Sequence, residues 1–132
     1  MGREEGQAIL YLKAPDQTHG LEPPASWGAF TRYVEIGDDL YAVRHVDVFA
    51  NGYALSYDRV HWVDELGMLG DMRYDEKKWT KWWGAALEIT PEEFEAVWRS
   101  AEESPARPIQ LRGEKTSEMG VTPVWLARLK GG

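Results

Sequence analysis

The chain has 132 residues, 43% of them hydrophobic, with 22 acidic against 15 basic side chains and a formal net charge of −7. That length suits one domain around one core, and no apolar run approaches what a membrane span needs. The acidic balance argues against a nucleic-acid binder, whose affinity would come from Lys and Arg neutralising phosphates, and the lack of cysteine excludes disulfides, a thiolate nucleophile and thiolate metal sites.

The beginning, Met1-Gly-Arg-Glu-Glu, has neither the basic nor the apolar region of a secretory signal, so a soluble, cytoplasmic protein is expected. Gln7-Ala-Ile-Leu-Tyr-Leu-Lys13 is a short apolar run ending at Ala-Pro and reads as a strand. From Asp16 to Ser26 the breakers Asp16, His19-Gly20 and Pro23-Pro24 predict an irregular surface loop, with Trp27 anchoring its far end.

Thr31-Arg-Tyr-Val-Glu-Ile36 reads as a strand closed by Gly37-Asp38-Asp39 onto a second strand that starts at Leu40. That strand continues to Asn51-Gly52, a pair suited to a type I′ hairpin turn because both central positions need positive φ. The register that follows puts Ala50 opposite Tyr53. Val48 then faces Leu55 and Val46 faces Tyr57 on an apolar side, while Asp47 faces Ser56 and His45 faces Asp58 on a polar side. With a three-residue loop before Leu40, residues Val34, Ile36, Leu40 and Ala42 join the apolar side.

A helix is predicted from Asp75 to about Gly84, carrying Trp79, Trp82 and Trp83 at i, i+3 and i+4. The clearest helix runs from Pro91 to Glu103. Thr90 is its N-cap, Pro91 stands at N1, Glu93 completes a capping box, and Ile89 with Phe94 forms a hydrophobic staple. Phe94, Val97, Trp98 and Ala101 form its apolar stripe, with Glu92, Glu95, Arg99 and Glu102 left to solvent. Residues 105–121 read as an irregular arm with one possible strand at Ile109-Gln-Leu111, and Pro123 to Lys130 as a short final helix. The whole predicts an α+β domain over 1–132: an antiparallel sheet of about four strands with one principal helix packed on one face.

The order of a Glu-bearing strand at Tyr33-Val-Glu-Ile-Gly-Asp-Asp39, the hairpin Val43-Arg-His-Val-Asp-Val-Phe-Ala-Asn-Gly52 and the helix Leu87-Glu-Ile-Thr-Pro-Glu-Glu-Phe-Glu-Ala-Val-Trp98 resembles a bacterial family of small uncharacterised proteins. Their pattern is an Arg-x-Val-x-hydrophobic-Phe-x-x-Gly hairpin followed by an Ile-Thr-x-x-Glu-Phe-x-x-x-Trp helix. The resemblance spans about Tyr33 to Trp98, roughly half of a single-domain chain. It implies a family without an assigned function, encountered near bacterial toxin and immunity genes, and it transfers no catalytic residue. The 16–26 loop, the Trp79–Trp83 cluster and the tail after Pro105 lie outside that pattern.

Arg44 shares strand parity with Ala42, Val46 and Val48, so its charge needs a partner: an anionic ligand, a partner's carboxylate, or an internal ion pair with Glu35, Asp64 or Glu65. Lys77-Lys78-Trp79-Thr-Lys81-Trp82-Trp83 has the composition of a stacking platform, and equally that of a helix burying its tryptophans. His45 with Asp58, and His61 with Asp64 and Glu65, are the acid/base pairs with geometric support, each readable as a general base with its carboxylate or as a histidine beside an acid. No nucleophile, phosphate loop or metal motif accompanies them, so neither cofactor nor metal is expected. These features predict a small acidic, non-catalytic binding protein, such as an immunity-type inhibitor of a basic protein partner like a bacterial toxin. The alternative is a small enzyme or ligand-binding domain whose aromatic pocket holds Arg44 and a histidine and accepts a small anion.

Overall fold

The computed structural model describes residues 8–17, 27–64, 66–69, 73–75, 77–78 and 87–112. Trp79, Trp82 and Trp83, residues 18–26 of the expected loop and the expected helix at Pro123–Lys130 lie outside these residues. Of the helix expected from Asp75, the described part is Lys77 and Lys78, which are helical and donate their N–H groups to Asp75 Oδ1 at 3.0 and 3.2 Å.

The elements are β1 (Ala8–Gln17), β2 (Phe30–Gly37), β3 (Ala42–Phe49), β4 (Ala54–Asp58), β5 (Val63–Asp64), β6 (Gly67–Met68), β7 (Leu87–Glu88), α1 (Pro91–Glu102) and α2 (Arg107–Arg112). Five strands form one antiparallel sheet in the order β4-β3-β2-β1-β7, and β5 and β6 form a separate pair. The architecture is therefore α+β, with five strands in the sheet. β1 is longer than expected because pairing with β2 continues past Ala14, through an irregularity at Pro15, to Gln17 opposite Phe30. β7 joins through Leu12 opposite Glu88, continued by an Ile89 N–H to Tyr11 C=O bond of 2.9 Å. Among the described residues no helix is long and apolar enough to cross a membrane.

The hairpin at Asn51-Gly52 forms, but its register differs from the expected one. Val48 faces Ala54, Asp47 faces Leu55, Val46 faces Ser56, His45 faces Tyr57 and Arg44 faces Asp58. The cause is the turn. Gly52 has φ 93°, whereas Asn51 does not have positive φ, and the Gly52 N–H reaches Phe49 C=O at 2.9 Å while the Phe49 N–H reaches Tyr53 C=O at 2.8 Å. This is a three-residue loop, Ala50-Asn51-Gly52, with the glycine in a left-handed bulge instead of a two-residue I′ turn, and the extra residue slips the pairing by one.

The β2–β3 turn has the same construction. Asp38-Asp39-Leu40 is closed by Leu40 N–H to Gly37 C=O and Gly37 N–H to Tyr41 C=O, both 2.9 Å. Asp39 Oδ1 accepts from the Tyr41 N–H at 3.0 Å as Asn51 Oδ1 accepts from the Tyr53 N–H at 2.9 Å. Where one turn has Gly52, the other has Leu40 at φ 69°. One residue later a bulge intervenes, since Ile36 faces Ala42 but Glu35 faces Arg44. Val43 is the extra residue, and it reverses which face the rest of β3 presents.

The expected single apolar face is consequently divided. Val46 and Ala54 pack with Phe94 and Ala101 of α1, with Val48, Tyr11, Tyr33, Val97 and Trp98 around them. Leu55, Tyr57, Val34, Ile36 and Ala42 belong to a second core on the opposite face, with Leu12, Phe30, Phe49, Leu66 and Leu69. Both faces of the sheet are covered, so alternation alone did not distinguish inside from outside. Trp27 packs edge-on against Phe49 and Tyr53, at 5.3 and 4.9 Å between ring centroids, and its carbonyl accepts from the Asn51 N–H at 3.1 Å. Trp27 itself is thus seated on the tip of the β3–β4 hairpin.

In α1, Thr90 is extended (φ −83°, ψ 156°), its hydroxyl accepts from the Glu93 N–H at 3.1 Å, and Pro91 occupies the first turn, where its missing N–H costs nothing. The segment read as an irregular arm from 105 begins otherwise. Ile109-Gln-Leu111 lies in helix α2, not in a strand. Ser104 starts the reversal between the helices, its hydroxyl accepting from the Ala106 N–H at 3.2 Å, and Ala106 is buried in the second core.

Candidate functional site

Arg44 and Glu35 face each other across β2 and β3, and their side chains form a two-point pair, with Nε to Oε1 at 2.7 Å and Nη2 to Oε2 at 2.8 Å. Arg44 Nη2 also donates to Glu95 of α1. The guanidinium carbon lies 5.0 Å from the Phe94 ring centroid and 4.9 Å from that of Trp98. Burial disfavours the arginine's charge, but Glu35 and Glu95 outweigh it and hold the group charged throughout the accessible range. Arg44 in return lowers the Glu95 carboxyl. Tyr11 donates its hydroxyl to Glu35 Oε2 at 2.9 Å and is pushed up to about 12, by burial first and by Glu35 next. Arg44 is thus an internal tie between sheet and helix, and of the three expected internal partners, Glu35, Asp64 and Glu65, it binds Glu35. Glu95, expected in solvent, is half-buried because Arg44 recruits it.

The other face holds a mirror of this pair. Arg32 faces Asp47 across the same two strands and grips it at 2.7 and 2.9 Å. Asp47 was expected on an outward polar side with Ser56, yet it is 2% exposed. Burial would raise its carboxyl, but Arg32 and then His45 overcome this and hold it well below the ordinary carboxylate range. His45 Nε2 is 3.4 Å from Asp47 Oδ2. His45 therefore belongs with Asp47 and Tyr57, and the expected His45–Asp58 pair does not form, since the register places Arg44 opposite Asp58. Asp58 instead shapes the turn after β4, its Oδ1 accepting from the Val60 N–H at 2.9 Å and the His61 N–H at 2.6 Å.

The His61–Asp64 pair does form, at 2.9 Å from Nε2 to Oδ2. Asp64 is a buried hub. Its Oδ1 accepts from the Tyr57 hydroxyl and the Leu66 N–H, both at 2.8 Å, and its Oδ2 accepts from Gln110 Nε2 at 3.1 Å. Burial first, and then Asp64, push the Tyr57 hydroxyl far above the ordinary phenol range. The Tyr57 ring lies between the two histidines, 5.3 Å from His45 and 6.0 Å from His61 in a stacked arrangement. Arg32, Asp47, His45, Tyr57, Asp64 and His61 thus form one continuous inner network on the face away from α1.

Arg44 and the histidines are not brought together, because successive residues of β3 point to opposite faces. Sequence reading missed Arg32, Tyr57 and Gln110 as members of a polar centre. Arg32 falls directly opposite Asp47 only because Val43 bulges, which the residues alone do not signal. Arg59 was also missed. It binds Asp39 at 3.0 Å and the Ala42 carbonyl at 3.1 Å, behind an open cleft of about 440 Å³ lined by Asp38, Asp39, Leu40, Tyr41 and Arg73. Among the described residues no group of three or more His, Cys, Asp or Glu side chains could hold a metal ion.

No family model, no curated protein and no solved structure matches this chain.

Proposed function

We propose that the chain is a non-catalytic, cytoplasmic binding protein of the immunity type, which neutralises a partner with a basic surface such as a bacterial toxin. The observation that carries this is the division of charge. Arg32, Arg44 and Arg59 have side chains only 14%, 20% and 14% exposed and are turned inward onto carboxylates. Glu92, Glu93 and Glu102 stay exposed along α1 and Glu103 at its C-cap, with Arg99 as the basic residue among them. An α1 face rich in acids steers a basic partner to the protein, while a guanidinium already held at two carboxylates and over two rings is poorly placed to receive a ligand's anion.

The test is capture of partners from a bacterial lysate on the immobilised protein at low salt, followed by a salt gradient. A basic protein released as ionic strength rises is the expected result. Retention of small anions in its place, lost in an Arg44→Met variant that keeps its fold, would overturn the proposal.

A further inference from the structure

Among the described residues β4 is the terminal strand of the sheet, and its outward-facing main chain is met at Ala54 and Ser56 by side chains in place of another strand. The ladder with β3 is fixed by the Phe49 N–H to Tyr53 C=O bond, so the alternation of an antiparallel pair turns the main-chain groups of Ala54, Ser56 and Asp58 away from β3. Each of their N–H groups finds a surrogate acceptor. The Ala54 N–H goes to Ser104 Oγ at 2.9 Å, the Ser56 N–H to Gln110 Oε1 at 3.3 Å, and the Asp58 N–H to the His61 carbonyl at 3.1 Å. The Ser56 carbonyl is met as well, by Gln110 Nε2 at 3.0 Å and Arg107 Nη1 at 3.3 Å. One side-chain amide thus exchanges both an acceptor and a donor with one residue, which is what a facing strand residue would do. Gln110 is 0% exposed and is held in this pose by its bond to Asp64.

We propose that Gln110 is an edge guard: its amide occupies the strand-addition site of β4 and thereby keeps a second copy of this chain from pairing there. An uncapped edge strand is a template for pairing with an identical strand, and natural sheets block it by covering the edge. The other end of the sheet has a different guard, a two-residue strand, β7, bearing the exposed Glu88. The occupant excluded at β4 is another β4, because the outward main-chain donors and acceptors of Ala54, Ser56 and Asp58, the first two residues buried here beneath their surrogates, are self-complementary in antiparallel pairing.

The native chain is expected to run as a monomer, with the Ser56 amide exchanging its hydrogen as slowly as those of Leu55 and Tyr57 inside the ladder. Gln110→Met removes both amide partners at similar volume. It should give a folded protein, by circular dichroism, whose mass in light scattering rises to that of a dimer with concentration. Should Gln110→Met fail to fold, Ser104→Ala, which removes the Ala54 acceptor alone, carries the same expectation in weaker form. A folded Gln110→Met or Ser104→Ala protein that stays monomeric, or a native Ser56 amide that exchanges freely, would overturn the proposal.

Discussion

The two arginine–carboxylate pairs of the β2–β3 ribbon are built alike and live differently. In one, the arginine is on β2 and the acid on β3; in the other these are exchanged, and the pairs point to opposite faces. Arg44–Glu35 lies beneath α1, extends to the half-buried Glu95, and is supported by aromatic rings. Arg32–Asp47 is enclosed, with the carboxylate 3% exposed and His45 beside it. The same chemistry therefore acts as a clasp between layers on one face and as an inner polar core on the other. A buried ion pair adds little over a well-packed apolar pair, but breaking it strands a charge.

Breaking each pair separately gives the sharpest contrast. Asp47→Ala leaves Arg32 enclosed without its carboxylate and is expected to cost about 3 to 5 kcal/mol. Arg44→Met, on the more open side, leaves Glu35 with the Tyr11 hydroxyl and an easier route to water, and should cost about 1 to 3 kcal/mol. Urea unfolding of both variants measures the order. If Arg44→Met costs more, the inner pair is not the better enclosed of the two.

Acid should separate the pairs as well. The Asp47 carboxyl is lowered on folding, so its contribution is complete above the unfolded value of about 4 and is lost as pH falls below that toward the folded value. Stability of the native chain should therefore decline steeply below about pH 4, and Asp47→Asn should flatten that decline. Melting temperatures recorded from neutral to acid pH check this, and equal slopes for the two proteins would refute it.

The two turns give the smallest effects. Gly52→Val puts a β-branched residue at φ 93° and should cost about 1 to 3 kcal/mol. Leu40→Gly relieves a left-handed leucine at φ 69° while adding glycine's entropy to the unfolded chain, and the two offset to within about 1 kcal/mol. Thermal melts of both variants distinguish a turn that needs its glycine from one that does without.

These same turns show what could be read from residues alone. Thr90-Pro91 specifies its helix start because the cap, the missing N–H and the following Phe94 act within a few residues. Asn51-Gly52 locates a hairpin but not its register, since one glycine at positive φ serves either a two-residue or a three-residue loop. Val43 gives no sign of its bulge; that follows from closing Asp38-Asp39-Leu40 tightly while keeping Glu35 on Arg44. With both sheet faces buried, Leu55 and Val46 were equally plausible on either side. Asp47 read as solvent-facing because the Arg32 that matches it is fifteen positions away. Gln110 was illegible for a related reason, its role depending on an edge that exists only once the sheet has formed.

The most direct test of acidic-surface recognition is the pair of rate constants for a captured basic partner, measured against ionic strength for the native chain and for Glu92→Gln, Glu102→Gln, Glu103→Gln combined. Association should slow with salt and in the variant, with dissociation little changed, because exposed charges steer encounter more than they hold the complex. Association that is indifferent to both salt and the three glutamates would contradict it.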